Sequence, residues 1–243
     1  MATPEHTPEF DNRLPGSLRG GAVLALHSRQ AARLIHGRRQ SPSHAAIQGL
    51  FGFAGDLRLI HEGCDEHDPY ADWWLAKVRT EMSRTERELA GIKGELAELL
   101  DPLCGFSIAE THSERPMLVE LQFAGKEAYA AARLLANYDV QVLGVLSAEH
   151  HGLFDTAVCK ERIEGGGRAL RRLFLSPVGY QRTGVTLDDV RLDNAQAERA
   201  REWMGNLPDE FAHPDCLDVA IRAVSVDAAD TDLPNVSVLT AAQ

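Results

Sequence analysis

The sequence predicts an α+β protein, predominantly helical, with a strand–helix–helix element near the N-terminus, a long heptad-patterned helix and a small β-hairpin. Three observations predict it. Trp74, Val78, Met82, Thr85, Leu89, Ile92, Leu96 and Leu99 recur at spacings of 4, 4, 3, 4, 3, 4 and 3, which winds one apolar seam along a helix. Short apolar and β-branched runs stand at 22–27, 106–111 and 117–123, the length and composition of strands. The other periodic segments repeat at helical spacing.

Taken in order, residues 1–19 hold three prolines and no periodicity, and are expected to be a flexible arm. Gly20-Gly21 opens the strand 22–27. Ser28 is a candidate N-cap for a helix over 29–36, which Gly37 closes. Ser41-Pro42-Ser43 starts the next helix, 44–61, with Ile47, Leu50, Phe51, Ala54, Leu57 and Ile60 on its apolar face. An acidic turn, 64–69, leads into the heptad helix, which Pro102 and Gly105 end. The runs 106–111 and 117–123, joined by the loop 112–116, read as a hairpin. Helices return at 126–145, 155–175 and 188–204, the last after a turn at 176–184. From 213 to 243 there are five acids against one arginine, an acidic tail expected to be disordered. The expected organisation is an arm (1–19), one mainly helical domain (20–212) and the tail (213–243).

Composition narrows the function. The chain has 243 residues, 44% of them hydrophobic. It has no apolar run approaching the roughly 18 residues of a membrane span, so no membrane contact is expected. The N-terminus lacks the basic and apolar regions of an export signal. Cys64, Cys104, Cys159 and Cys216 form no CxxC pair, which argues against a disulfide framework or zinc ribbon. A cytoplasmic protein is expected.

The net charge of −11 argues against nucleic acid when taken whole, but the distribution points the other way. Residues 12–55 contain no Asp or Glu, yet hold Arg13, Arg19, Arg29, Arg33, Arg38 and Arg39. A second acid-free window, 165–187, carries Arg168, Arg171, Arg172 and Arg182. All ten cations are arginines, whose planar five-donor fork suits phosphates and base edges.

Catalytic signatures are weak. His61-x-x-Cys64-x-x-His67 lies in an acidic turn, and its spacing matches no established zinc pattern. GxSxG, P-loop and HExxH motifs are absent from the sequence. Gly165-Gly166-Gly167 lacks the preceding strand and the spacing of a dinucleotide loop. Asp188-Asp189 opens a helix, where acids belong electrostatically. No enzyme activity, metal or cofactor is expected.

The strand 22–27 and the two helices after it fit a ribbon–helix–helix element over 20–62. In that arrangement two subunits pair their strands and lay the ribbon in the major groove of double-stranded DNA. The second helix then meets a phosphate with its N-terminus. The candidate contacts are His27, Arg29, Arg33, Arg38, Arg39, Ser43 and His44, extended by Arg168, Arg171, Arg172 and Arg182. The strand itself is nearly all apolar, so only His27 offers a polar atom to a base. A homodimer follows from this reading. The alternative is a non-enzymatic accessory or structural protein, binding protein partners through the seam from Trp74 to Leu99.

Longer blocks add a resemblance. They are Asp68-Pro69-Tyr70-Ala71-Asp72-Trp73-Trp74-Leu75, Leu121-Gln122-Phe123-Ala124 with Tyr129, and Leu134-Leu135-Ala136-Asn137-Tyr138-Asp139. Further blocks are Gly167-Arg168-Ala169-Leu170-Arg171-Arg172-Leu173-Phe174, Tyr180-Gln181-Arg182-Thr183-Gly184-Val185-Thr186 and Met204-Gly205-Asn206-Leu207-Pro208. Spread over 20–212, they resemble proteins encoded by integrating conjugative elements of bacteria. Those are grouped with AcaB-like regulators of conjugative plasmid transfer, which are ribbon–helix–helix DNA binders. The resemblance implies DNA binding and transcriptional control of transfer genes.

Overall fold

The computed structural model describes residues 21–38, 40–41, 46–100 and 111–212. The arm, the tail, most of the first predicted hairpin strand, and Arg39, Ser43 and His44 lie outside them. β1 (Ala22–Leu26) leads into α1 (Arg29–His36), followed by two-residue strands β2 (Gly37–Arg38) and β3 (Ile47–Gln48). Next come α2 (Leu50–Asp65), α3 (Pro69–Leu100), β4 (Met117–Leu121), α4 (Lys126–His150) and α5 (Thr156–Leu175). The short α6 (Leu187–Leu192), α7 (Ala195–Met204) and α8 (Asp209–Ala212) complete the described chain.

The mainly helical α+β class holds. The predicted hairpin partner of β4, residues 106–111, lies outside the described residues but for Thr111, and β4 finds a partner much farther away in sequence. It pairs antiparallel with β1, from Ala22 opposite Leu121 to Leu26 opposite Met117. The reason is burial: this register puts Leu24, Leu26, Val119 and Leu121 on one face, all buried against the helices. Equally, the partner that β1 finds is a strand of its own chain. One expectation is corrected: α2 starts at Leu50 rather than at 44. Ile47 and Gln48 instead pair with Arg38 and Gly37.

The predicted last long helix is two. Asp193 takes a left-handed conformation (φ 48°, ψ 44°), and Asn194 then caps α7 by accepting the N–H groups of Gln196 and Ala197. α4 runs on to His150, one turn and more beyond the predicted end.

The heptad seam packs inside the chain. Trp74, Val78, Thr85, Leu89 and Leu96 are buried, and α3 lies against α2, α4 and α5. Polar groups along the seam have in-chain partners. Gln141 Nε2 donates to Leu89 O at 2.8 Å, and Thr85 Oγ1 to Ala169 O at 3.5 Å. The seam is therefore not an exposed partner surface. The glycine run 165–167 sits within α5, where a methyl at Gly166 would meet the Tyr138 ring at 2.8 Å. Glycine there lets α4 and α5 approach closely, and the Tyr138 hydroxyl donates to Ile163 O at 2.9 Å.

Two buried carboxylates brace the helices with opposite consequences for stability. Glu127, 4% exposed, accepts from Arg79 Nη2 at 2.9 Å and lies 3.1 Å from His61 Nε2. Burial pushes its pKa up, but the close His61 ring and the hydrogen bonds from Arg79 outweigh that and bring it to about 2. Asp68 caps α3 by accepting the Tyr70 N–H at 2.8 Å and receives the Tyr180 hydroxyl at 3.2 Å. Its burial prevails, and the carboxyl titrates at about 6.

The signs follow from linkage. A lowered pKa means Glu127 stabilises above its ordinary 4.5 and loses that contribution as pH falls toward 2. A raised pKa means Asp68 carries no penalty below 3.8 and a growing one as pH rises to about 6. Glu127→Gln should lower stability at pH 7 by roughly 1–3 kcal/mol, a buried-pair loss discounted for the part-exposed partners. In denaturant titrations the gap from wild type should close between about pH 4.5 and 2; a constant gap would contradict this. Asp68→Asn should gain on wild type as pH rises from about 4 to 6.

Candidate nucleic-acid interface

α1 is fixed at its first turn by side chains from near and far. Ser28 Oγ accepts the Ala31 N–H at 3.2 Å. The buried Asp139 carboxylate, from α4, accepts the N–H of His27 at 2.7 Å and of Ser28 at 2.8 Å. It satisfies donors at the helix entrance and places a negative charge at the positive end of the dipole. Ala31, Leu34 and Ile35 face the core. Arg29, Arg33 and His36 are exposed, one turn apart on the opposite side. α1 contains no acidic residue, and among the described residues no carboxylate pairs with Arg29 or Arg33.

The far end of α1 is folded against the start of α2. Gly37 has φ +67° and ψ −148°, a combination open almost only to glycine. A methyl carbon there would lie 2.6 Å from Gly49 N. At Gly49 a methyl would lie 2.5 Å from Ile35 O and from the His36 carbonyl carbon. Back-to-back glycines thus bring the helix ends together. The His36 ring stacks on Phe51 with centroids 5.2 Å apart and planes at 29°. Phe51 meets Phe123 edge-on at 6.1 Å, and Phe123 packs on Tyr129 at 5.3 Å.

The predicted contacts separate in the structure. Arg29, Arg33 and Arg38 are exposed within the strand–helix–helix element. His27 is half-buried, and its Nδ1 accepts the Ser113 N–H at 3.1 Å, tying down the loop before β4. In the second window, Arg172 pairs with Glu81 and with Glu88, the latter at 2.9 Å. Arg182 pairs with Glu66 and with Glu62, the latter at 3.2 Å. Arg168 lies 3.8 Å from Glu164, while Arg171 is half-buried. This window is acid-free in sequence but largely compensated in space, because the C-terminal end of α2, the middle of α3 and the first half of α5 supply the carboxylates.

The outer face of the β1–β4 ribbon carries Val23, Ala25, Leu118 and Glu120. Val23 is 64% and Leu118 67% exposed. These groups give base edges little to pair with beyond one carboxylate. The His61, Cys64 and His67 trio does not converge. His61 turns to Glu127, the Cys64 thiol is pushed up by burial and by Asp72, and His67 Nδ1 lies 3.1 Å from Asp65 O. Among the described residues no three His, Cys, Asp or Glu side chains are placed to hold a metal ion. Nor is any described helix long and apolar enough to cross a membrane.

Asp139 and the ring pair His36–Phe51 carry no mark in the sequence. Phe51 was legible only as one more apolar position of a helix, and nothing local marks a mid-helix Asp as the anchor of another helix.

Comparison with known proteins places this arrangement among transcriptional regulators. Residues 14–213 match the family described as "Transcriptional regulator AcaB", most of the chain. The chain belongs to the AcaB family. Its fold is similar to the crystal structure of selenomethionine-containing AcaB from uropathogenic E. coli, with a TM-score of 0.55 at 13% sequence identity. That match covers 83% of this chain and 97% of the other. No curated protein matches the sequence.

Proposed function

We propose that this regulator binds double-stranded DNA and controls conjugative transfer genes on a mobile element, with the exposed arginine face of α1 against the phosphates. The observation that carries this reading is the pair Arg29 and Arg33, one turn apart on a helix without acids and without carboxylate partners among the described residues. In a chain of net charge −11, two arginines left uncompensated side by side are a local cationic site. Membership of the AcaB family and the resemblance to conjugative-element proteins support the DNA and transfer-gene assignment. Arg38, with Arg39, Ser43 and His44, extends the face in this proposal. Arg172 and Arg182 drop out of it, since their charge is neutralised by glutamates.

The proposal includes a homodimer. β1 uses one edge for β4, and its other edge carries no strand among the described residues, so two copies can pair there. The accessory-protein alternative is less favoured, because Trp74, Val78, Thr85, Leu89 and Leu96 of its seam are buried where α3 packs against α2, α4 and α5.

The test is the double variant Arg29→Ala, Arg33→Ala. Each phosphate contact contributes about 0.9 to the slope of log affinity against log salt. Removing two per protomer should flatten the slope by about 1.8 per protomer and weaken binding to all duplexes alike. An unchanged slope would remove α1 from the interface.

A further inference from the structure

We propose that His36 and Phe51, beside Arg33, form a stacking platform for unpaired nucleobases, so that the chain binds single-stranded nucleic acid as well as duplex. The proposal rests on the reading that α1 faces a polyanion, and adds a second class of ligand at that surface. His36 is exposed, and its ring lies over Phe51, which is itself 37% exposed. An exposed imidazole backed by a partly exposed phenyl ring, beside a cationic helix face, suits a ligand with both a flat apolar surface and negative charge. Unpaired bases on a phosphodiester backbone supply both, since every base has a π-face.

The platform is held rigidly from below. Phe123 closes against Phe51, and the Phe123 N–H donates to the Tyr129 hydroxyl at 3.2 Å. The contact of Gly37 with Gly49 sets the separation of the two helix ends. Arg33 stands three residues before His36 on the same face, where it can pair a phosphate adjoining the stacked base. No acid occurs between residues 12 and 55, and the next one, Asp56, accepts the Gln48 amide at 2.6 Å. Duplex DNA cannot use the rings in this way, because its bases already stack on one another and reach a pocket only by flipping out.

The experiment is fluorescence anisotropy with labelled oligo-dT, oligo-U, an abasic phosphodiester of equal length and a duplex. Wild type, His36→Ala, Phe51→Ala and the Arg29→Ala, Arg33→Ala pair would be compared. Wild type should bind oligo-dT or oligo-U at least about tenfold tighter than the abasic strand, the difference between the two identifying DNA or RNA as the source. His36→Ala and Phe51→Ala should each lose roughly tenfold on single strands while duplex affinity stays within about twofold. His36 is a surface residue, so its variant keeps the test decisive if Phe51→Ala is poorly folded. Equal affinity for oligo-dT, oligo-U and the abasic strand, or ring variants that bind single strands like wild type, would overturn the proposal. Duplex binding without single-strand binding would defeat the platform alone; single-strand binding without duplex binding would defeat the duplex reading alone.

Discussion

Gly49→Ala should cost roughly 3 kcal/mol or more, a large part of the ~5–15 kcal/mol that holds a typical domain together. The added methyl has nowhere to go. Its neighbours at 2.5 Å are Ile35 O and the His36 carbonyl carbon, both main-chain atoms that cannot swing aside as a flexible side chain would. Relief requires α1 and α2 to part, which opens the β2–β3 pairing and exposes Leu34, Ile35, Leu50 and Phe53, all buried now. Gly37→Ala should be as damaging for a second reason, since its positive φ adds strain of ~1–3 kcal/mol. Gly55 supplies the control. It lies in the middle of α2 with nothing within 4 Å of an added methyl, so Gly55→Ala should be neutral or stabilise by up to ~1 kcal/mol. Denaturant midpoints of the three variants check this. A Gly49→Ala midpoint matching wild type would show that the helix ends are not in contact.

Asp139→Ala is the second large effect expected. The variant strands the His27 and Ser28 N–H groups, whose acceptor among the described residues is Asp139. An unpaired buried donor costs ~1–3 kcal/mol, so the loss should be roughly 2–4 kcal/mol. Asp139→Asn should fall between, because one amide oxygen can still accept while its NH2 group faces a second donor. Since Arg29 follows Ser28 directly, freeing this turn should also weaken duplex binding in the still-folded Asn variant. Unfolding of Asp139→Ala at the wild-type midpoint would contradict the anchor.

Local structure was largely legible in the sequence. Ser28, the apolar positions of α1 and Gly37 marked that helix from end to end, and the heptad spacing marked α3. What stayed hidden depends on residues far apart in the chain. The apolar runs 22–27 and 117–123 both read as strands, but their pairing across some ninety residues of helix and turn is decided by burial of Leu24, Leu26, Val119 and Leu121. A heptad seam looks the same whether it meets a partner or its own chain, and here α2, α4 and α5 cover it. Acid-free windows mislead similarly. Among the described residues Arg29 and Arg33 meet no carboxylate, whereas Glu62, Glu66, Glu81 and Glu88 converge on Arg182 and Arg172.

The most direct measurement is an anisotropy titration of the full chain against duplex promoter fragments from the genes around its own and a scrambled duplex, at two salt concentrations. One promoter fragment should bind more tightly than the scrambled duplex, the difference should survive at the higher salt, and the Arg29→Ala, Arg33→Ala pair should weaken both. Absence of duplex binding at the lower salt would contradict the proposed DNA binding.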